Sequence, residues 1–144
     1  MQRLIRTIMV VLACIAMMPA AARKYPVIKF EKMSVDMGTF SQDEPVRVCI
    51  FKFTNVGDAK LVINYVRPSC GCTVAEYPKD FISPGGSGEI KVTYNGKGKL
   101  PGKIKKYIQV FTNCKDDLSR IFITGEMTAV PKSVMNEDKK KEEK

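Results

Sequence analysis

Hydrophobic positions along this chain fall into short runs of alternating polarity, each closed by Gly, Pro, Asn or Asp. The clearest run is 46–54, where Val46, Val48, Cys49, Ile50, Phe51 and Phe53 are β-formers packed into one stretch. Its period-two face of Cys49, Phe51 and Phe53 is the more aromatic one and is expected inside. Asn55-Val56-Gly57-Asp58 follows as a tight turn in which Gly57 can take positive φ, and 60–66 resumes as strand, which predicts a hairpin. Upstream, 27–30 and 33–37 read as a first strand pair or as one interrupted strand stopped at Gly38. Downstream, 73–77 is a short edge strand ended by Pro78, and the turn-rich 83–88 feeds a strand at 89–94. A flexible connection over 95–102 then leads to strands at 103–112 and 118–128. In the first of these Ile104, Ile108 and Val110 share a parity and are expected to join the core.

About seven short strands at turn-bounded intervals, with no sustained helical period, predict an all-β, immunoglobulin-like β-sandwich. The chain is long enough for one such domain, assigned to 23–130. The first 22 residues read differently: a basic start at Arg3 and Arg6, an apolar run from Ile8 to Met18, then Pro19-Ala20-Ala21-Ala22. The run is short for a membrane span, and small residues at Ala20 and Ala22 suit a signal peptidase, so 1–22 is expected to be a cleaved signal peptide. Val11-Leu12-Ala13-Cys14 loosely matches a lipoprotein cleavage box. The apolar run continues past Cys14, which makes lipidation there the minor alternative. Residues 131–144 lose apolar character after Met135 and end in mixed charge, a composition that cannot offset the entropy of ordering and predicts a disordered tail.

The formal charge of +9 invites a nucleic-acid reading. Along the sequence, however, the lysines are not clustered with aromatics, tryptophan is absent, and export removes the chain from cellular nucleic acid, so no nucleic-acid partner is expected. The total absence of histidine excludes Ser-His-Asp and Cys-His nucleophile pairs and every histidine metal site. Gly85, Gly86 and Gly88 precede a strand and do not open a helix, so they form no phosphate loop. The expectation is therefore no enzyme, no cofactor and no transmembrane span after processing.

Four cysteines remain beyond the leader: Cys49, Cys70, Cys72 and Cys114. In an oxidising compartment they read first as disulfides, with three complete pairings open. Cys70 and Cys72 flank only Gly71, whose backbone freedom can bring the sulfurs into a small, strained ring that is easily reduced. The same spacing suits a soft metal such as Cu(I). A structural turn is the commoner reading of such a pair in an exported chain. Cys49 lies mid-strand and Cys114 at the end of a separate predicted strand, where a loop position competes with a core one, at a spacing loosely like that of the bridge between antibody sheets.

Taken in order, Phe51-Lys52-Phe53-Thr54-Asn55-Val56-Gly57-Asp58, Leu61-Val62-Ile63, Ser69-Cys70-Gly71-Cys72-Thr73, and Ser83-Pro84-Gly85 with Gly88 and Ile90 resemble the domain of unknown function family 1573 of exported bacterial proteins, frequent in Bacteroides-like organisms. The resemblance covers roughly 30–128. It implies an Ig-like sandwich and no assigned activity. The expected function is a noncatalytic interaction or structural module of the periplasm or cell surface, contacting another envelope protein. The alternative is a redox or copper-handling protein acting through Cys70 and Cys72.

Overall fold

A computed structural model describes residues 24–130; the expected signal peptide, 1–22, and the expected disordered tail, 131–144, lie outside the described residues. Eight strands run in chain order: β1 (Ile28–Phe30), β2 (Ser34–Ser41), β3 (Val46–Asn55), β4 (Ile63–Pro68), β5 (Thr73–Glu76), β6 (Ser87–Asn95), β7 (Gly102–Thr112) and β8 (Leu118–Thr128). They form two four-stranded sheets, sheet A with order β1-β3-β6-β5 and sheet B with order β2-β8-β7-β4. This is the immunoglobulin constant arrangement with its first strand divided between the sheets. The division explains eight strands where the sequence suggests about seven. Among the described residues no helix is long and apolar enough to cross a membrane.

The alternation read from the sequence becomes the core. On β3, Cys49, Phe51 and Phe53 point inward and are almost fully buried, and Ile104, Ile108 and Val110 meet them from β7. Ile90, Val92 and Tyr94 of β6 and Ile121, Ile123 and Met127 of β8 complete the interior. Each large side chain buried here contributes about 1.5–3 kcal/mol. Gly88 is part of the same packing: it lies opposite Phe53 in the β3–β6 register, and a Cβ on it would come within 2.7 Å of the Phe53 ring.

Two expectations are corrected. The segment after Asn55 is not a hairpin. β3 pairs with β1 and β6 in sheet A, whereas β4 pairs with β7 in sheet B, so 56–62 crosses the sandwich. Its anchor is Leu61, fully buried and bridged to Ile82. A tight turn sets the local reversal but does not decide which sheet receives the next strand. Nor does Gly38 stop a strand: β2 runs through it, parallel to β8, and the register shifts between Asp36 and Thr39. Gly38 takes φ 70° and its amide donates to Asp36 Oδ1 at 3.0 Å, so the glycine supplies a bulge within the strand. The edge position expected for 73–77 holds, since β5 borders sheet A.

Candidate functional site

The motif residues divide into a structural group and a chemical one. Asn55 is fully buried at the end of β3. Its Oδ1 accepts from the amides of Val27 (3.3 Å) and Gly57 (3.1 Å), and its Nδ2 donates to the carbonyls of Ala59 (2.8 Å) and Ile82 (3.0 Å). The Asn55 carbonyl accepts from the Gly85 amide at 2.8 Å, and Gly85 takes φ 77° to present it. Gly57 sits against the Tyr25 carbonyl and the Val27 amide with no room for a side chain. Asn55, Gly57 and the Pro84-Gly85 turn, distant in sequence, thus form one polar rivet that joins the N-terminal segment, the β3 exit and the turn before β6. Their role is architectural.

Ser69, Cys70, Gly71 and Cys72 form the connection from β4 in sheet B to β5 in sheet A, which Thr73 opens. Cys70 and Cys72 are joined as a disulfide with Cα atoms 5.3 Å apart. Gly71 is exposed with open space around it, and its φ is not positive. The loop backbone is held independently of the sulfurs: the Thr73 amide donates to the Cys70 carbonyl at 3.2 Å and the Asn95 amide to the Cys72 carbonyl at 2.8 Å. The buried Thr73 hydroxyl lies 3.4 Å from Cys70 Sγ and 3.9 Å from Cys72 Sγ. A surface pocket of about 320 Å³ opens over the loop, lined by Cys70, Gly71, Cys72, Asn95, Lys97 and Lys99. Among the described residues no carboxylate lines it.

A cross-link spanning so few residues removes little entropy from the unfolded chain, roughly 1.5 kcal/mol in the chain-entropy account against about 3 kcal/mol for a fifteen-residue loop. Stability alone is therefore a weak reason for this bond. As a soft-metal site the pair would first need its sulfurs separated. Among the described residues no cluster of three or more His, Cys, Asp or Glu side chains is placed to hold a metal.

Cys49 and Cys114 are both free, so the bridge left open by the sequence is not formed. Cys114 shares a pocket with Tyr25, Pro26, Val27 and Ile28, and Ile28 pairs with Asn55 at the far end of β3. Cys49 lies six residues back along that strand, about 20 Å at 3.3 Å per residue. Burial, and secondarily the Asp36 carboxylate, pushes the Cys49 thiol above its ordinary pKa.

One surface was missed at the sequence level. On the outer face of sheet B, register places Tyr65 of β4 beside Phe111 of β7, Tyr107 beside Phe122 of β8, and Gln109 between Arg67 and Arg120. The Tyr65 and Phe111 rings stack with centroids 4.2 Å apart. Tyr65 and Tyr107 are 50% and 44% exposed, and Arg67, Arg120, Lys103 and Lys105 are exposed around them, with Glu126 opposite Lys103. Within each strand an aromatic and a cation stand two residues apart on the outward face: Tyr65 with Arg67, Lys105 with Tyr107, and Phe122 with Arg120. Only the pairing of three strands assembles them, although outward parity of the residues on β7 carried part of the signal.

The sheet order and the motif series converge on one family. The model of the family described as "Protein of unknown function (DUF1573)" matches residues 28–127, which takes in all but the last residue of the strand framework. The chain belongs to this family. No curated protein matches its sequence. Among solved structures, a protein of unknown function from Porphyromonas gingivalis W83 superposes with a TM-score of 0.60 at 21% identity, over 77% of this chain and 50% of that one. This chain thus spans half the length of that relative. The ASH/PapD-like domain 7 of human CEP192 superposes at TM-score 0.56 and 9% identity, covering 80% of this chain and 95% of that domain. The periplasmic chaperone SfaE gives 0.52 and 12%, with 73% and 60% covered. At these identities the likeness is one of fold alone, an Ig-like β-sandwich.

Proposed function

We propose that this DUF1573 domain is a noncatalytic interaction module of the periplasm or bacterial cell surface, and that the outer face of sheet B docks an acidic surface of another envelope protein. The observation that carries the reading is the aromatic and basic face built by Tyr65, Tyr107, Phe111 and Phe122 with Arg67 and Arg120. Tyr and Arg dominate the energetics of protein interfaces, because each combines large contact area with directed polar groups. Tyr107, Phe111, Arg120 and Phe122 stand on β7 and β8, which are paired on both sides and hold these side chains rigidly, lowering the entropy lost on binding, while Tyr65 and Arg67 stand on the edge strand β4. The cations Arg67, Lys103, Lys105 and Arg120 outnumber the acidic Asp36 and Glu126 on this face, so the complementary partner is acidic. The absence of histidine and of any phosphate loop from the sequence is consistent with a binding role.

Co-purification of the tagged full-length protein from gently solubilised envelopes tests this reading. Tyr107→Ala is expected to weaken recovery of the bound partner about tenfold or more, and Arg120→Glu to do the same while reducing the salt sensitivity of binding. Recovery unchanged by both substitutions would overturn it.

A further inference from the structure

We propose that the Cys70–Cys72 disulfide is a thiol–disulfide exchange site selective for anionic thiols. Its neighbourhood differs from that of a buried structural bridge in three respects. First, Gly71 leaves the loop without a covering side chain, and a Cβ built there would meet nothing within 4 Å, so the bond is approachable from the 320 Å³ pocket. Second, the pocket wall is cationic, carrying Lys97 and Lys99 with no carboxylate among the described residues that line it. Such a wall attracts an anionic thiol and stabilises the thiolate that exchange releases. Third, the Thr73 hydroxyl lies against both sulfurs and can donate to either one once it carries charge.

The scaffold also survives the reaction. The hydrogen bonds from Thr73 to the Cys70 carbonyl and from Asn95 to the Cys72 carbonyl involve no sulfur, so the loop stays in place when the bond opens. Among the described residues the other thiols do not interfere, because Cys49 is buried and Cys114 lies at the opposite end of the sandwich.

The direction of attack follows from packing. Cys72 leans on the hydrophobic core and Cys70 does not. An incoming thiolate therefore bonds to Cys70 Sγ, the Cys70–Cys72 bond breaks, and its electron pair remains on Cys72 Sγ as a thiolate. A second thiolate then attacks the sulfur of the first on the mixed disulfide and expels Cys70. The two external thiols leave as a disulfide, oxidised by two electrons, and their protons end on Cys70 and Cys72. The substrate class is a thiol or dithiol bearing carboxylates.

The test follows opening of the disulfide in the full-length protein by rapid alkylation and mass spectrometry, with reduced glutathione as the anionic probe and 2-mercaptoethanol as the neutral one. A peptide of residues 68–74 carrying the same ring is the reference. Glutathione is expected to open the protein's bond about tenfold faster than the peptide's. The K97Q/K99Q variant is expected to lose about that factor with glutathione and to stay within about twofold with 2-mercaptoethanol. Thr73→Val is expected to slow both probes and Thr73→Ser to restore them, and oxidised glutathione is expected to leave its mixed disulfide on Cys70 in the C72S variant. Opening no faster than in the peptide, or equal responses of both probes to loss of the lysines, would overturn the proposal.

Discussion

Ser69 and Tyr107 tie the cysteine loop to the aromatic face. The Ser69 amide donates to the Tyr107 carbonyl at 3.0 Å, and the Tyr107 amide donates to Ser69 Oγ at 3.3 Å. Ser69 immediately precedes Cys70, and Tyr107 is at the centre of the outer face of sheet B, so a partner resting on that face lies beside the half-buried disulfide. These bonds continue the β4–β7 ladder beyond Pro68, and they fix the loop from the β4 side as Asn95 does from the β6 side.

Because the loop is held by the backbone on both sides, opening or deleting the disulfide should leave the fold intact. The double variant Cys70→Ser/Cys72→Ser is expected to unfold cooperatively in denaturant with a loss of only about 1.5 kcal/mol. A loss of 4 kcal/mol or more would mark the bond as a main structural staple, far above the roughly 1.5 kcal/mol its short loop provides.

The rivet at Asn55 predicts the opposite sensitivity. Asn55→Ala removes two donors and an acceptor from a site without water access and leaves the Ala59 and Ile82 carbonyls and the Val27 and Gly57 amides short of partners. The expected cost is about 3 kcal/mol by equilibrium unfolding. Asn55→Asp should be at least as costly, since it turns a carboxylate oxygen toward two carbonyls. Full stability in either variant would contradict the role assigned to this side chain.

Alkaline pH should weaken the fold through Cys49. Its thiol is raised in the folded state, chiefly by burial, so the native chain keeps a proton that the unfolded chain releases. Stability is then flat in this group below the unfolded thiol's pKa of about 8.5 and falls as pH rises past it. Tyr94, raised by burial as well, adds to the fall near and above pH 10 or so. Denaturant midpoints between pH 8 and 10 should decline less steeply in Cys49→Ala than in the native sequence; parallel slopes would contradict the assignment.

Much of this architecture was readable because period-two burial is a local signal. Cys49, Phe51 and Phe53 announce their inward face within one strand, as do Ile104, Ile108 and Val110. What was not readable depended on pairing. Asn55-Val56-Gly57-Asp58 has the composition of a hairpin turn, but Asn55 spends its hydrogen bonds on Val27, Ala59 and Ile82, and the chain leaves for the other sheet. The Cys70-Gly71-Cys72 loop stood out by spacing alone, yet its lysines come from the β6–β7 connection and its threonine partner only from the folded turn. The aromatic and basic face was hidden for the same reason, since Tyr65 and Phe111 stack only when β4 takes its register on β7.

The docking face is tested most directly by placing a photo-crosslinking amino acid at single positions in the living cell. Gln109 stands between Arg67 and Arg120 on sheet B, Val48 on the outer face of sheet A, and Asp58 on the 56–62 crossover. One discrete crosslinked protein is expected from position 109, lost when Arg120→Glu is added, with little or none from 48 and 58. Absence of a product at 109, or equal products from all three positions, would contradict it.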